Sequence, residues 1–295
     1  MTQETNARTN WITFIGSPNA GKSTLLNKLI GTKISIVSPK VQTTRTVLKG
    51  IKAIENTQLV FTDTPGIFQK AKSKLEKYML HSAWGSVQEA NQVCLLIDCT
   101  RYDNSDNQYL LSQLTEQEFK VVLVLNKIDL IEKKFLLPLT QKLSQSHDIF
   151  QKIFMISALQ DDGVKDLEEY FIQNAKPSPW LFNKDDITNA PIRFLAAEAI
   201  REKIFFHTNQ ELPYNIAVET ESWEETAKLT SINITIKVMK LSHKKIIIGK
   251  GGQLIKKIAT QARKDIEALL CKKVFLTLFV KVTDWDKNIQ ESVSF

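Results

Sequence analysis

The stretch Gly16-Ser17-Pro18-Asn19-Ala20-Gly21-Lys22-Ser23-Thr24 decides the reading of this chain. Two glycines separated by four residues, then Lys-Ser, form the G-x-x-x-x-G-K-[ST] pattern of a phosphate-binding loop. The context is the one the pattern requires, because an apolar run, Trp11–Gly16, precedes it and an amphipathic stretch, Ser23–Leu29, follows. A strand, a tight glycine turn and a helix would turn successive backbone N–H groups toward an anion at the positive end of the helix. In such a loop Lys22 bridges the β- and γ-phosphates and the Ser23 hydroxyl ligates Mg²⁺.

Outward from this loop, short apolar runs alternate with helical patterns. Leu59–Thr62, Val93–Asp98, Val121–Asn126 and Ile153–Ile156 read as further strands, and Tyr109–Gln117 and Leu136–Gln145 as helices. Alternation of this kind predicts an α/β P-loop domain with a doubly wound, mostly parallel sheet. Ligands bind such sheets beyond the carboxyl ends of the strands, so the polar residues just after each strand are where chemistry is expected.

Three more signals stand there in order. Asp63-Thr64-Pro65-Gly66 follows the second run; its carboxylate can hold Mg²⁺ through water, and the Gly66 N–H can meet a γ-phosphate and move when it leaves. Asn126-Lys127-Ile128-Asp129 closes the fourth run. There Asp129 can accept two hydrogen bonds from the guanine ring N–H and exocyclic amine, a donor pair adenine lacks. Asn126 would tie the loop to its neighbours, and the aliphatic stem of Lys127 would cover the base. Ser157-Ala158 ends the fifth run, where a small residue lets a backbone N–H approach the guanine carbonyl oxygen. Between the first two signals lies Gln42-Thr43-Thr44-Arg45-Thr46, a polar segment offering Thr43 or Thr44 as a hydroxyl that reaches Mg²⁺ only with the γ-phosphate in place. The set describes a GTP/GDP site with Mg²⁺, in which Asp129 speaks against an ATPase or kinase.

The 295 residues suggest two domains. Ordinary hydrophobic and charged content, 43% and 24%, excludes a disordered chain. Cys94, Cys99 and Cys271 have no paired spacing and read as small core residues in a reducing compartment. Met1 to Asn10 lacks the order of a secretory signal, and no apolar run spans a membrane. The net charge of +7 is unevenly spread. Lys237 to Lys281 holds twelve basic residues against Asp265 and Glu267, a surplus of ten that leaves −3 elsewhere. The proline-bearing stretch 174–191 separates the halves, giving a domain over 1–175, a linker over 176–191 and a basic domain over 192–295.

Inside the basic strip sits Ile246-Ile247-Ile248-Gly249-Lys250-Gly251-Gly252-Gln253-Leu254-Ile255. Its glycine–lysine–glycine–glycine core matches the G-X-X-G loop of a KH domain, which clamps single-stranded nucleic-acid backbone. Glycines allow close approach, Lys250 meets a phosphate, and an aliphatic floor meets the bases. Lys244, Lys245, Ile247, Ile248, Gly249, Lys250, Gly251, Gly252, Lys256 and Lys257 are the expected RNA contacts. Ile232–Met239 and Val274–Val282 read as strands; the acidic stretch Glu219–Thr230 reads as solvated surface with Trp223 as a packing anchor.

Together, GSPNAGKST, QTTRT, DTPGI, NKID and ISA, followed by AEAIREKIF, ELPYN, KKIIIGKGG and ARKDIEALL, resemble the Era family of bacterial GTPases over nearly the whole length. The resemblance implies a GTPase domain followed by an α+β type II KH domain, with a helix on each side of the G-X-X-G loop despite the β-branched Ile246–Ile248. It implies GTP hydrolysis and binding to 16S ribosomal RNA near its 3′ end. A checkpoint in maturation of the 30S subunit follows from the same likeness, with a cytoplasmic monomer, no DNA partner and peripheral membrane association without a visible anchor. It also favours Thr44 over Thr43, since related GTPases place the threonine just before Arg. Lys22, Thr44 and Gly66 take the catalytic part; Ser23, Thr44 and Asp63 hold the metal. Ile67 stands where Ras-type enzymes carry a water-orienting glutamine, which is the family pattern. With Asn19 in the loop, it motivates potassium-assisted hydrolysis.

Overall fold

The computed structural model describes residues 6–40, 43–71, 73–208, 212 and 216–283; Gln42 and, apart from Leu212, the ELPYN segment lie outside them. The chain divides into two compact units, residues 1–35 with 44–189, and residues 36–43 with 190–295.

The first unit is built on a sheet of β1 (Arg8–Ile15), β2 (Leu48–Ile54), β3 (Thr57–Asp63), β4 (Gln92–Asp98), β5 (Val121–Asn126), β6 (Phe150–Ile156) and the two-residue β7 (Lys176–Pro177). Its order is β2-β3-β1-β4-β5-β6, with β7 beside β1. β3, β1, β4, β5 and β6 run parallel, while β2 and β7 pair antiparallel at β3 and β1. The near-continuous apolar runs of the central strands follow from cover on both faces: every residue of β5 is buried. The helices are α1 (Lys22–Ile30), α2 (Lys74–Glu89), α3 (Ser105–Glu116), α4 (Leu136–Ser146) and α5 (Val164–Gln173). One core joins Leu95, Ile97, Leu123 and Leu125 to Ala83, Leu110, Leu114 and Leu139. Elsewhere Phe14 stacks on Phe61, which meets Phe171 edge-on. The predicted strands and helices all form, with ends shifted by a few residues; β2, β7, α2 and α5 are additional. Residues of the proline-bearing stretch lie along this unit, where Gln58 Oε1 accepts from the Leu181 and Phe182 N–H groups and the Ile51 N–H donates to Ile187 O.

The second unit contains α6 (Ile192–His207), β8 (Ile216–Glu225), β9 (Leu229–Val238), α7 (Leu241–Ile248), α8 (Gln253–Leu270) and β10 (Lys273–Val282). The sheet order is β10-β9-β8, with β10 parallel and β8 antiparallel to β9. Alternation on β9 sends Ile232, Ile234, Ile236 and Val238 into a core shared with Ile200, Ile204, Ile258 and Ile266. Ile246–Ile248 are helical, as the resemblance implies and against their local preference. Trp223 packs against this core, but the acidic stretch around it is more than solvated surface. It forms β8, and Glu219, Glu221 and Glu225 pair with Lys237, Lys281 and Lys272.

Residues 36–43 count with this unit because α6 holds them. Glu202 Oε1 accepts from the Val37 N–H at 3.0 Å, and Arg201, itself paired with Glu198, donates to the Thr43 carbonyl at 2.7 Å. Cys94 and Cys99 are buried, and burial pushes both thiols up, Cys99 to about 12. Cys271 is exposed, correcting its reading as a core residue; it follows the last turn of α8 in a left-handed conformation, which faces it outward.

Candidate functional site

The four strand-end signals of the first unit converge. After β1 the chain turns through Asn19 at φ 63° and Gly21 at φ 103°, and α1 begins with no side-chain cap on its first N–H groups. An uncapped helix start leaves backbone donors without a capping side chain, as an anion site needs. Lys22 is buried, its Nζ donating to Gly16 O at 2.9 Å and Ser17 O at 3.1 Å. Burial lowers its pKa to about 8, with the Asp63 carboxylate opposing. Ser17 and Ala20 are buried, Pro18, Asn19 and Thr24 partly exposed.

Ser23, Thr44 and Asp63 meet. Ser23 Oγ donates to Asp63 Oδ2 at 2.6 Å and lies 2.9 Å from Thr44 Oγ1. Thr43 turns elsewhere, its hydroxyl bonded to Ser38 Oγ and Lys40 O. Ser35, which no motif singles out, adds a second hydroxyl to Asp63 Oδ2 at 2.8 Å. Burial raises the Asp63 pKa, against the Ser23 bond and the Lys22 charge. Its Oδ1 is buried without a hydrogen-bond partner among the described residues. An orphaned carboxylate oxygen with hydroxyls around it is an all-oxygen donor set, which suits Mg²⁺.

Thr64 anchors the next loop by donating to Phe14 O at 2.7 Å. Gly66 passes so close to the phosphate loop that a Cβ would stand 2.8 Å from Pro18 Cα. Ile67 donates its N–H to Gly16 O while its side chain is fully buried in the core.

At the end of β5, Asn126 bonds two loops at once: Nδ2 donates to Ala20 O at 2.8 Å, and Oδ1 accepts from the Ala158 N–H at 3.0 Å. The Ser157 N–H is engaged by Asp162 O, so both N–H groups of the Ser157-Ala158 pair are satisfied within the protein. Lys127 is left-handed at φ 67°, Ile128 begins a short 3₁₀ turn, and Asp129 is exposed on it.

In the second unit, α7 ends at Gly249, and the loop has positive φ at Gly249, Gly251 and Gly252. A Cβ on Gly249 would stand 2.7 Å from that of Leu254, whereas Gly251 and Gly252 face open space. Lys245, Lys250, Lys256 and Lys257 are exposed and Lys244 half-buried. Ile247 does not join them. It is fully buried in the core, because the helix turns it inward, and Ile246 is the exposed member of the triplet. Ile248 is half-buried.

With this geometry in view, comparison with known proteins is decisive. A family model described as 50S ribosome-binding GTPase matches residues 11–127, and a KH domain model matches residues 211–286. GTPase Era of Sinorhizobium medicae is 45% identical over 279 residues, 94% of this chain and 89% of the relative. The chain belongs to the Era GTPases. Era of Rickettsia conorii is 43% identical over 97% of this chain and 84% of its own. A crystal structure of Era in complex with MgGDPNP and nucleotides 1506–1542 of 16S ribosomal RNA superposes with a TM-score of 0.90 at 37% identity, covering 96% of both chains. A point variant of Aquifex aeolicus Era bound to GDP·AlF4⁻ gives 0.89 at 36% identity, covering 95% of this chain and 96% of that one. The Era family therefore supplies the activity, hydrolysis of GTP, and the fold, a P-loop GTPase domain followed by a KH domain. Ser35 falls in no motif and was missed in the sequence, whereas Arg201 and Glu202 stand within the quoted AEAIREKIF with no role assigned to them there.

Proposed function

We propose that this chain is a GTP-driven switch whose KH module binds 16S ribosomal RNA near its 3′ end and acts in assembly of the small ribosomal subunit. The observation that carries the reading is the meeting of Ser23, Thr44 and Asp63 beside buried Lys22, in a chain similar over nearly its whole length to an Era solved with both nucleotide and that RNA. In this reading Gly16 to Thr24 cradle the phosphates and Ser23, Thr44 and Asp63 hold Mg²⁺. The metal, when bound, neutralises charge developing on the transferred phosphoryl group. Lys22 takes the β/γ oxygens, Thr64 to Ile67 form the loop that follows the γ-phosphate, and the Gly66 N–H meets it. Asn126 to Asp129 hold guanine, and Ser157 and Ala158 back the pocket, with the Ala158 N–H bracing Asn126. Lys244, Lys245, Ile248, Lys250, Lys256 and Lys257 meet RNA around Gly249, Gly251 and Gly252.

Residues 1–175 are the GTPase domain, 176–191 a linker and 192–295 the KH domain. The chain acts as a cytoplasmic monomer. Any contact with the cytoplasmic membrane is peripheral in this reading; no helix among the described residues is long and apolar enough to cross one. Since Ile67 is buried, Asn19 and a potassium ion take part in place of a glutamine. The test is GTP turnover with Mg²⁺ in potassium and in sodium buffer, with and without a 16S 3′-end RNA. Faster turnover in potassium and tight RNA binding support the reading. Equal rates remove potassium, no turnover removes the enzyme, and no affinity for the RNA removes the partner.

A further inference from the structure

One buried carboxylate outside every motif reaches into the base loop. Asp98 ends β4 in register with Asn126 on β5, and the residue is 1% exposed. Its Oδ2 accepts from Lys127 Nζ at 2.7 Å and from Arg101 Nη2 at 3.2 Å. Its Oδ1 accepts from the Thr100 N–H at 3.0 Å and the Thr100 hydroxyl at 2.7 Å. Both oxygens are therefore occupied. Burial pushes the carboxyl up, yet the bonds from Lys127 and Thr100 outweigh it and hold it below its usual range. Lys127 sits at the left-handed turn between Asn126 and Asp129, with a long stem that would otherwise sample many rotamers.

We infer that Asp98 is a positioning residue for the nucleotide base: by holding the Lys127 ammonium it fixes the aliphatic stem across the face of a bound purine. The inference rests on the GTPase reading above. A stem fixed by its end meets the ring's face, whereas Asp129 reads its edge. Loosening the stem should weaken purine nucleotides alike, whether or not they carry the exocyclic amine, and leave the phosphate chemistry alone.

The test measures GDP and IDP affinity and GTP turnover in the full chain for the parent, Asp98→Asn, Lys127→Met and the double variant. Asp98→Asn should weaken GDP and IDP equally, by about tenfold, the scale of one charge-assisted contact. At saturating GTP, kcat should stay within about twofold, because uniform binding is what has been lost. Added to Lys127→Met, Asp98→Asn should cost nothing further. Affinity unchanged in Asp98→Asn, or a loss that adds fully to that of Lys127→Met, overturns the inference. If Asp98→Asn does not fold, Lys127→Met carries the test from the other partner: a matching loss for GDP and IDP supports the inference and unchanged affinity overturns it. A parent that binds no guanine nucleotide overturns the site reading itself, whereas a parent that binds GDP no better than Asp98→Asn does overturns only the role of Asp98.

Discussion

Asn126→Ala offers the most direct test of how the site is held. The side chain satisfies Ala20 O and the Ala158 N–H, both on residues no more than 2% exposed. Its loss leaves two buried backbone groups unpaired, each costing about 1–3 kcal/mol, so about 2–6 kcal/mol in all. For a unit of this size the lower bound is a fall in Tm of about 4 °C. Thermal unfolding of the nucleotide-free protein, followed by circular dichroism, reads it. Gly21→Ala probes the same contact from the other side, because its Cβ would stand 2.1 Å from Asn126 Nδ2, and φ 103° adds strain of about 1–2 kcal/mol. The collision disappears once the amide is gone, while the strain stays. In the Asn126→Ala background Gly21→Ala must therefore cost less than in the parent, a double-mutant cycle with a defined sign. Equal costs in both backgrounds, or an Asn126→Ala Tm at the parent value, would refute the reasoning.

Three other predictions follow from the same structure. Asp129→Asn should trade guanine for xanthine preference, checked by competition of GDP and XDP for the site; retained GDP affinity counts against the assignment. Gly249→Asp with Gly252→Asp should abolish RNA binding in a filter assay while GTP hydrolysis continues, since the first glycine is packed on Leu254 and both have positive φ; loss of both activities would point to misfolding. The Asp98 carboxyl is held below its usual range, so its contribution is present at neutral pH and is lost as pH falls below about 4 toward its lowered native value. In urea unfolding, the stability advantage of the parent over Asp98→Asn should accordingly shrink from pH 7 to pH 3; an advantage independent of pH would contradict it.

The GTPase fold was legible because its chemistry is local. Each signal is a few residues after an apolar run, and backbone groups plus one or two side chains do the work. What was hidden depends on tertiary partners. Ser35 is one serine among many until the chain folds it onto Asp63, and Asp98 lies 29 residues from the lysine it holds. The edge strand β2 lacks the apolar density of the buried strands because only three of its seven positions, Leu48, Gly50 and Ile51, are buried. In the KH module the glycine loop announced itself, but the facing of Ile246 and Ile247 is fixed by a helix that β-branched residues disfavour locally. The acidic stretch at β8 had no visible purpose in sequence, since its lysine partners lie 18 to 60 residues away.

That pairing has a consequence for ionic strength. Glu219, Glu221 and Glu225 already pair with Lys237, Lys281 and Lys272, so those three lysines displace few of the cations condensed on an incoming strand. The lysines nearest the glycine loop, Lys244, Lys245, Lys250, Lys256 and Lys257, have no carboxylate partner among the described residues. If these five do the displacing, log K against log salt should fall with a slope of about −3.5 for single-stranded RNA, well short of what a surplus of ten charges would give. The acids on β8 thus mask three of the strip's twelve basic residues and leave the lysines around the glycine loop open.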